Sequence, residues 1–223
     1  SVGAVSYISA LSLHKTKKIK LKNILIKNNL FYDDALHIIY SDNIDIENLE
    51  VIEAFGDAID IDMSNRIFLK NLKINGSFND AIDLMESSVF LDKGNLYGSK
   101  DKGISVGENS YLVLKNSELE NNNIGIATKD GSLTEIFNSN FLDNEFHIKN
   151  YKKNWRYGDG GITVINDSSL VSKKSKLKNL NSGIDNFSSL ILNNTKFEDQ
   201  ILNKEFYSEK NIKNHINKIK LLN

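Results

Sequence analysis

The stretch GDAIDID (Gly56–Asp62) returns 23 residues later as NDAIDLM (Asn79–Met85). In both copies a small residue is followed by apolar side chains two apart: Ile59 and Ile61, then Ile82 and Leu84. A period of two marks one face of a β-strand. The same phrase can be followed outward in both directions. The small residue falls at Ala35, Ala58, Ala81, Gly103 and Gly125, at spacings of 23, 23, 22 and 22. It resumes at Gly161 and Gly183, 22 apart, and Ala10 fits one step upstream.

Each unit carries the same inner grammar. A short turn with a serine follows the strand (Ser64, Ser87, Ser110, Ser132), and a second strand places pairs such as Ile67 and Leu69 inward. An asparagine stands two residues beyond those pairs at Asn23, Asn48, Asn71, Asn116, Asn138 and Asn194. Asparagine tolerates the left-handed backbone that a tight bend needs, and stacked Asn side chains can bond along an axis. Ser117, Ser139, Ser175 and Thr195 occupy the next slot and form an expected inward hydroxyl ladder.

A unit of about 22 residues is too short to bury its own core, so successive units must stack. Helical periodicity is missing, the Leu/Asn signature of leucine-rich repeats does not match, and a propeller blade needs about 40 residues. The expected fold is all-β: a right-handed parallel β-helix of about eight rungs over residues 1–202, with a helical or disordered C-terminal cap over 203–223. In that cap Ser208 would start a helix lined by Ile212, Ile216 and Ile219.

The bulk numbers bound the function. The 223-residue chain has a formal net charge of −1, which leaves no basic footprint for nucleic acid. No cysteine is present, so disulfides and thiolate metal sites are excluded. No apolar run of about 18 residues exists, so no membrane span is expected. The chain reads as a piece of a larger polypeptide.

The phrases GDAIDID, NDAIDL and DKGISVGE, with the segment Tyr157–Gly161, resemble right-handed parallel β-helix repeat proteins of the pectate-lyase-like superfold. They are similar to β-helix domains of large bacterial surface proteins. The resemblance covers about residues 5–202 and implies a secreted or cell-surface location. The superfold holds polysaccharide lyases, epimerases and glycoside hydrolases beside tailspikes and adhesins, so fold alone does not give function.

With Ile59 and Ile61 inward, Asp60 and Asp62 face outward, and Asp83 falls one rung from Asp60, about 4.8 Å away. The outward column reads His37, Asp60, Asp83, Ser105, Ala127, Thr163, Asp185. A column before the strand reads Asp34, Asp57, Asp80, Lys102. Like charges this close repel, so a pKa rises or a cation binds. Asp57, Asp60, Asp80 and Asp83 could hold Ca²⁺, the one cofactor implied. Asp60, Asp83, His37 and Lys102 are the candidate catalytic residues of a lyase, epimerase or glycoside hydrolase. Asp34, Asp57 and Asp80 equally suit capping of backbone N–H groups.

The spacing fails once, between Gly125 and Gly161, where 36 residues separate the small positions. The expected insertion loop spans about 143–160. Its Trp155, Tyr151, Tyr157 and Arg156, with Lys129 nearby, are the candidate substrate-binding residues, since stacking and charge pairing suit an acidic sugar. The chain therefore reads as a β-helix that acts on or binds an acidic polysaccharide. The alternative is a non-catalytic structural or adhesive module.

Overall fold

The computed structural model describes residues 9–172 and 183–206. Seven strands lie side by side in parallel: Ser9–His14, Asp34–Ile39, Ile59–Asp62, Ile82–Met85, Lys102–Gly107, Ile124–Lys129 and Phe146–Tyr151. Ile184 bridges Asn150 at the far end and opens an eighth turn. A second sheet of twelve strands wraps the remaining faces. In its first turns one strand covers two faces, as in Lys17–Asn29, Asp42–Ala54 and Asn65–Ser77. These strands bend at Asn23, Asn48 and Asn71, which sit at φ 58°, 59° and 54°. Asn48 Nδ2 donates to Asn23 Oδ1 at 2.8 Å and Asn71 Nδ2 to Asn48 Oδ1 at 3.0 Å, so the expected asparagine column forms, on the surface.

Because every strand pairs in register with its equivalent one turn away, like side chains stack. Leu36, Ile59, Ile82, Ile104, Ile126 and Ile148 form one buried column along the axis. The corners are tied by hydroxyl ladders. The backbone N–H groups of Ser41, Ser64, Ser87 and Ser110 each donate to the serine Oγ of the next turn, at 2.9–3.1 Å. At another corner Ser117 N–H donates to Ser139 Oγ and Ser139 N–H to Ser168 Oγ. Ser168 takes the rung expected for Ser175, which lies outside the described residues. Buried backbone donors are thus satisfied without water.

The segment 143–160 is not one loop. Phe146–Tyr151 is a regular strand pairing with Ile124–Lys129, so the turn after Gly125 arrives at His147, 22 residues on. His147 replaces the small residue, and its larger side chain hides the period. The true insertion follows Tyr151 and contains a short 3-10 turn, Trp155–Tyr157. Asp130 Oδ1 anchors it by accepting from the N–H groups of Lys153 and Asn154 at 2.7 and 2.6 Å.

This shifts the later register. Gly161 and Thr163 belong to the second sheet, where Ile162 pairs Leu133 and Thr163 pairs Thr134. Thr163 is fully buried, with Oγ1 2.9 Å from Thr128 Oγ1 and 2.8 Å from Asn150 Oδ1. It is an interior residue, not one of the outward column. Regular structure runs on past residue 203, since Gln200–Phe206 is a strand running antiparallel to Ser189–Phe197. The helix expected around Ser208 lies outside the described residues. Among those described, no helix is long and apolar enough to cross a membrane.

Candidate functional site

Three side-chain columns run along the seven-stranded sheet. The first, Ala58, Ala81, Gly103 and Gly125, packs on the core instead of facing outward: a Cβ on Gly103 would lie 3.1 Å from Leu119 Cδ2 and one on Gly125 2.9 Å from Phe141 Cδ1. A Cβ on Gly103 would lie 2.6 Å from the Gly125 carbonyl oxygen, and one on Gly125 would lie 2.6 Å from that of His147. Crowding between turns keeps this column small. The second column runs His37, Asp60, Asp83, Ser105, Ala127, Lys149 by direct strand pairing. Lys149 stands where Thr163 was expected. The third runs Ile39, Asp62, Met85, Gly107, then Tyr151 beside Lys129.

Asp60 and Asp83 are therefore direct cross-strand neighbours. His37 is nearly buried, with Nε2 3.5 Å from Asp60 Oδ2 and 3.3 Å from Asp62 Oδ2. The His37–Asp62 contact is a diagonal one, a turn plus two residues, and the repeat alignment alone does not single it out. Burial pushes the Asp60 carboxyl up to about 8, with Asp62 and Asp34 adding to it. Burial, then Asp57 and Asp33, push Asp34 up to about 7. The hydrogen bond to Asp62 raises the His37 imidazole above its usual range, against the cost of burial. Carboxylates and imidazole here share too few protons to be independent.

The column before the strand does cap backbone. Asp57 Oδ1 accepts from Asp80 N–H at 2.7 Å, and Asp80 Oδ1 accepts from Lys102 N–H at 2.9 Å. Burial pushes Asp57 up to about 6 and Asp80 up to about 7, the latter opposed by Lys102. Lys102 Nζ lies 3.3 Å from Asp80 Oδ1 and 2.5 Å from Asp101 Oδ2. Burial works against the Lys102 charge, but these two carboxylates hold its pKa above the ordinary range, so the ion pair is formed at neutral pH. Asp57 and Asp80 are thus occupied, and the four acids expected around Ca²⁺ do not gather about one point. Among the described residues the group whose donor atoms converge, all within 4.8 Å, is Asp34, His37 and Asp60.

Beyond the acids the face turns cationic. Tyr151 lies within electrostatic reach of both Lys102 and Lys129. The Lys129 chain crosses Gly107, where a Cβ would meet its Cε at 2.6 Å. Beneath this cover Ser105 is fully buried, and neither its Oγ nor Asp83 Oδ1 has a hydrogen-bond partner. Lys129 and Tyr151 pair across adjacent strands of this sheet. Tyr157 instead hydrogen-bonds Glu86 at the corner, near Glu108. Arg156 lies over the Trp155 ring at 5.8 Å, and Trp155 is 79 % exposed. Sequence reasoning missed Ser105 as an orphaned hydroxyl and Asp34 and Asp62 as partners of His37.

A family model described as "Right handed beta helix region" matches residues 9–169. The chain belongs to that family. No curated protein matches it. Two solved structures are similar over most of their length. One is the plasmid-mediated fluoroquinolone resistance protein QnrB1, at 16 % identity and TM-score 0.29, covering 86 % of this chain and 91 % of that one. The other is HetL, a pentapeptide repeat protein involved in heterocyst differentiation regulation from the cyanobacterium Nostoc, at 11 % identity and TM-score 0.26, covering 90 % and 88 %. At those scores the β-helix family match alone bears on this chain.

Proposed function

We propose that this β-helix engages an acidic polysaccharide along the outer face of the seven-stranded sheet, as part of a secreted or cell-surface polypeptide. One observation carries the reading: Asp83 Oδ1 and Ser105 Oγ are buried on neighbouring strands without partners, between carboxylates on one side and Lys102, Lys129 and Tyr151 on the other. An orphaned polar atom costs about 1–3 kcal/mol, which a ligand hydroxyl would recover. Lys129 supplies a cation for a uronate carboxylate, and Asp60 and Asp83 supply an acid and a base one strand apart. Asp83 remains partly exposed while Ser105 and Lys129 are covered, so a polymer would reach the orphaned atoms only by displacing the Lys129 chain.

Affinity electrophoresis in gels containing uronate polymers or neutral glucans tests this. Retardation by a uronate polymer alone is expected, weakened about tenfold by Lys129→Ala. Equal mobility in every gel would rule the reading out. Ultraviolet absorbance of unsaturated uronate then separates the two forms of it. Product lost in Asp83→Asn means lyase chemistry, whereas binding without product means a non-catalytic adhesive module.

A further inference from the structure

Two neighbouring parts of the acidic face differ in how their charge is met. Asp80 and Asp101 have Lys102, whose Nζ touches both. One turn away, Asp34, Asp60 and Asp62 have no lysine or arginine in ion-pair contact among the described residues, and His37 is their one cationic neighbour. Asp34 is 4 % exposed and His37 is 5 % exposed. Carboxylates removed from water either keep a proton or take positive charge close by, and one imidazole does not balance three ionised ones.

We infer that Asp34, His37 and Asp60 form a binding site for one divalent transition-metal ion, of the zinc class. One donor atom from each lies within 4.8 Å of the other two. Asp62 Oδ2, 3.3 Å from the His37 Nε2, stands outside this converging group and acts as a hydrogen-bond partner that orients the imidazole. Metal bonds of about 2.0–2.2 Å to nitrogen and carboxylate oxygen require only a small inward movement of these groups. Asp57 N–H bonds the Asp34 carboxylate and fixes it, as outer partners of metal ligands do. An imidazole with two carboxylates suits zinc, manganese, cobalt or iron. Calcium takes six to eight oxygens, more than this pocket offers. The site shares Asp60 with the polysaccharide reading but not Asp83, Ser105, Lys102 or Lys129, so metal binding can be tested without a polymer.

The test is titration of the chelator-treated whole chain by calorimetry with Zn²⁺, Mn²⁺ and Ca²⁺ alone. One equivalent of Zn²⁺ is expected to bind at least tenfold more tightly than Ca²⁺. It should raise the melting temperature by about 5–10 °C at a hundredfold excess over Kd. His37→Gln should abolish the shift, and Lys129→Ala should keep it. In the unmutated protein, the His37 ring nitrogen should move in the ¹⁵N spectrum on adding Zn²⁺, which gives an answer even where a variant fails to fold. No binding, calcium binding as tight as zinc, or a His37 nitrogen that does not respond would each overturn the site. Because no polymer is present, these outcomes are separate from those of the electrophoresis.

Discussion

The early and late turns of the solenoid solve the same problem in different ways. In the early turns the inward column Ile38, Ile61, Leu84, Val106 is aliphatic, and the ionisable groups lie outside. Later the same column continues as Thr128 and Asn150, and the interior becomes a hydrogen-bonded set. Thr128 Oγ1 lies 2.8 Å from Thr134 Oγ1, Thr163 joins both Thr128 and Asn150, and Asn150 Nδ2 donates to the Ser189 carbonyl at 2.6 Å. Aliphatic stacking tolerates any number of equivalent turns. A buried polar set needs named partners, and it sits where the chain departs from its period after Tyr151.

The largest expected effect separates the two kinds of interior. Ile61→Ala should cost about 3–4 kcal/mol in denaturant unfolding, as a cavity in an aliphatic stack. Thr128→Val should cost about 1–2 kcal/mol, since it strands one hydroxyl partner. Equal costs would erase the distinction between early and late turns.

Next comes pH at the late end. His147 is nearly buried against Phe141, and burial pulls its pKa down to about 4. The unfolded chain takes up that proton first, so stability is full above about pH 6.5 and falls toward pH 4, by roughly 3 kcal/mol. In His147→Gln, thermal melts should lose this acid-side decline. A variant melting curve that declines in parallel with the parent would remove His147 as its cause.

The early turns should show the opposite slope. Asp60 is raised to about 8, so the folded state keeps a proton that the unfolded chain has lost. Stability then falls as pH rises from about 4 to 8. In chelator, Asp60→Asn should flatten that fall by about 2 kcal/mol, melting above the parent at pH 8 but not at pH 4. A variant lower at both pH values would show that Asp60 serves packing alone.

The smallest effect concerns the surface bend shared by the early turns. Asn71→Ala should cost about 1 kcal/mol, through its left-handed backbone and the lost bond to Asn48, and Asn71→Gly should cost less. The reverse order would mean that the side-chain bond outweighs the backbone.

The same contrast explains what could be read in advance. GDAIDID and NDAIDLM expose the period because a regular aliphatic turn repeats its own pattern, and Asp60 and Asp83 follow as neighbours. The turn at Phe146–Tyr151 was hidden because His147 fills a slot held elsewhere by Ala or Gly. The signal was present: 22 residues beyond Ile126, Ile148 keeps the apolar place. Missing it carried Gly161 and Thr163 onto the wrong face. The His37–Asp62 diagonal and the orphaned Ser105 hydroxyl depend on side-chain direction and cover, which the spacing of residues does not encode.

The strand Gln200–Phe206 turns back against Ser189–Phe197 and so reverses chain direction on the second sheet. A second molecule approaching that edge would meet a strand of opposite polarity. It could not simply continue the winding as one more coil, and fibre growth by head-to-tail addition is discouraged there.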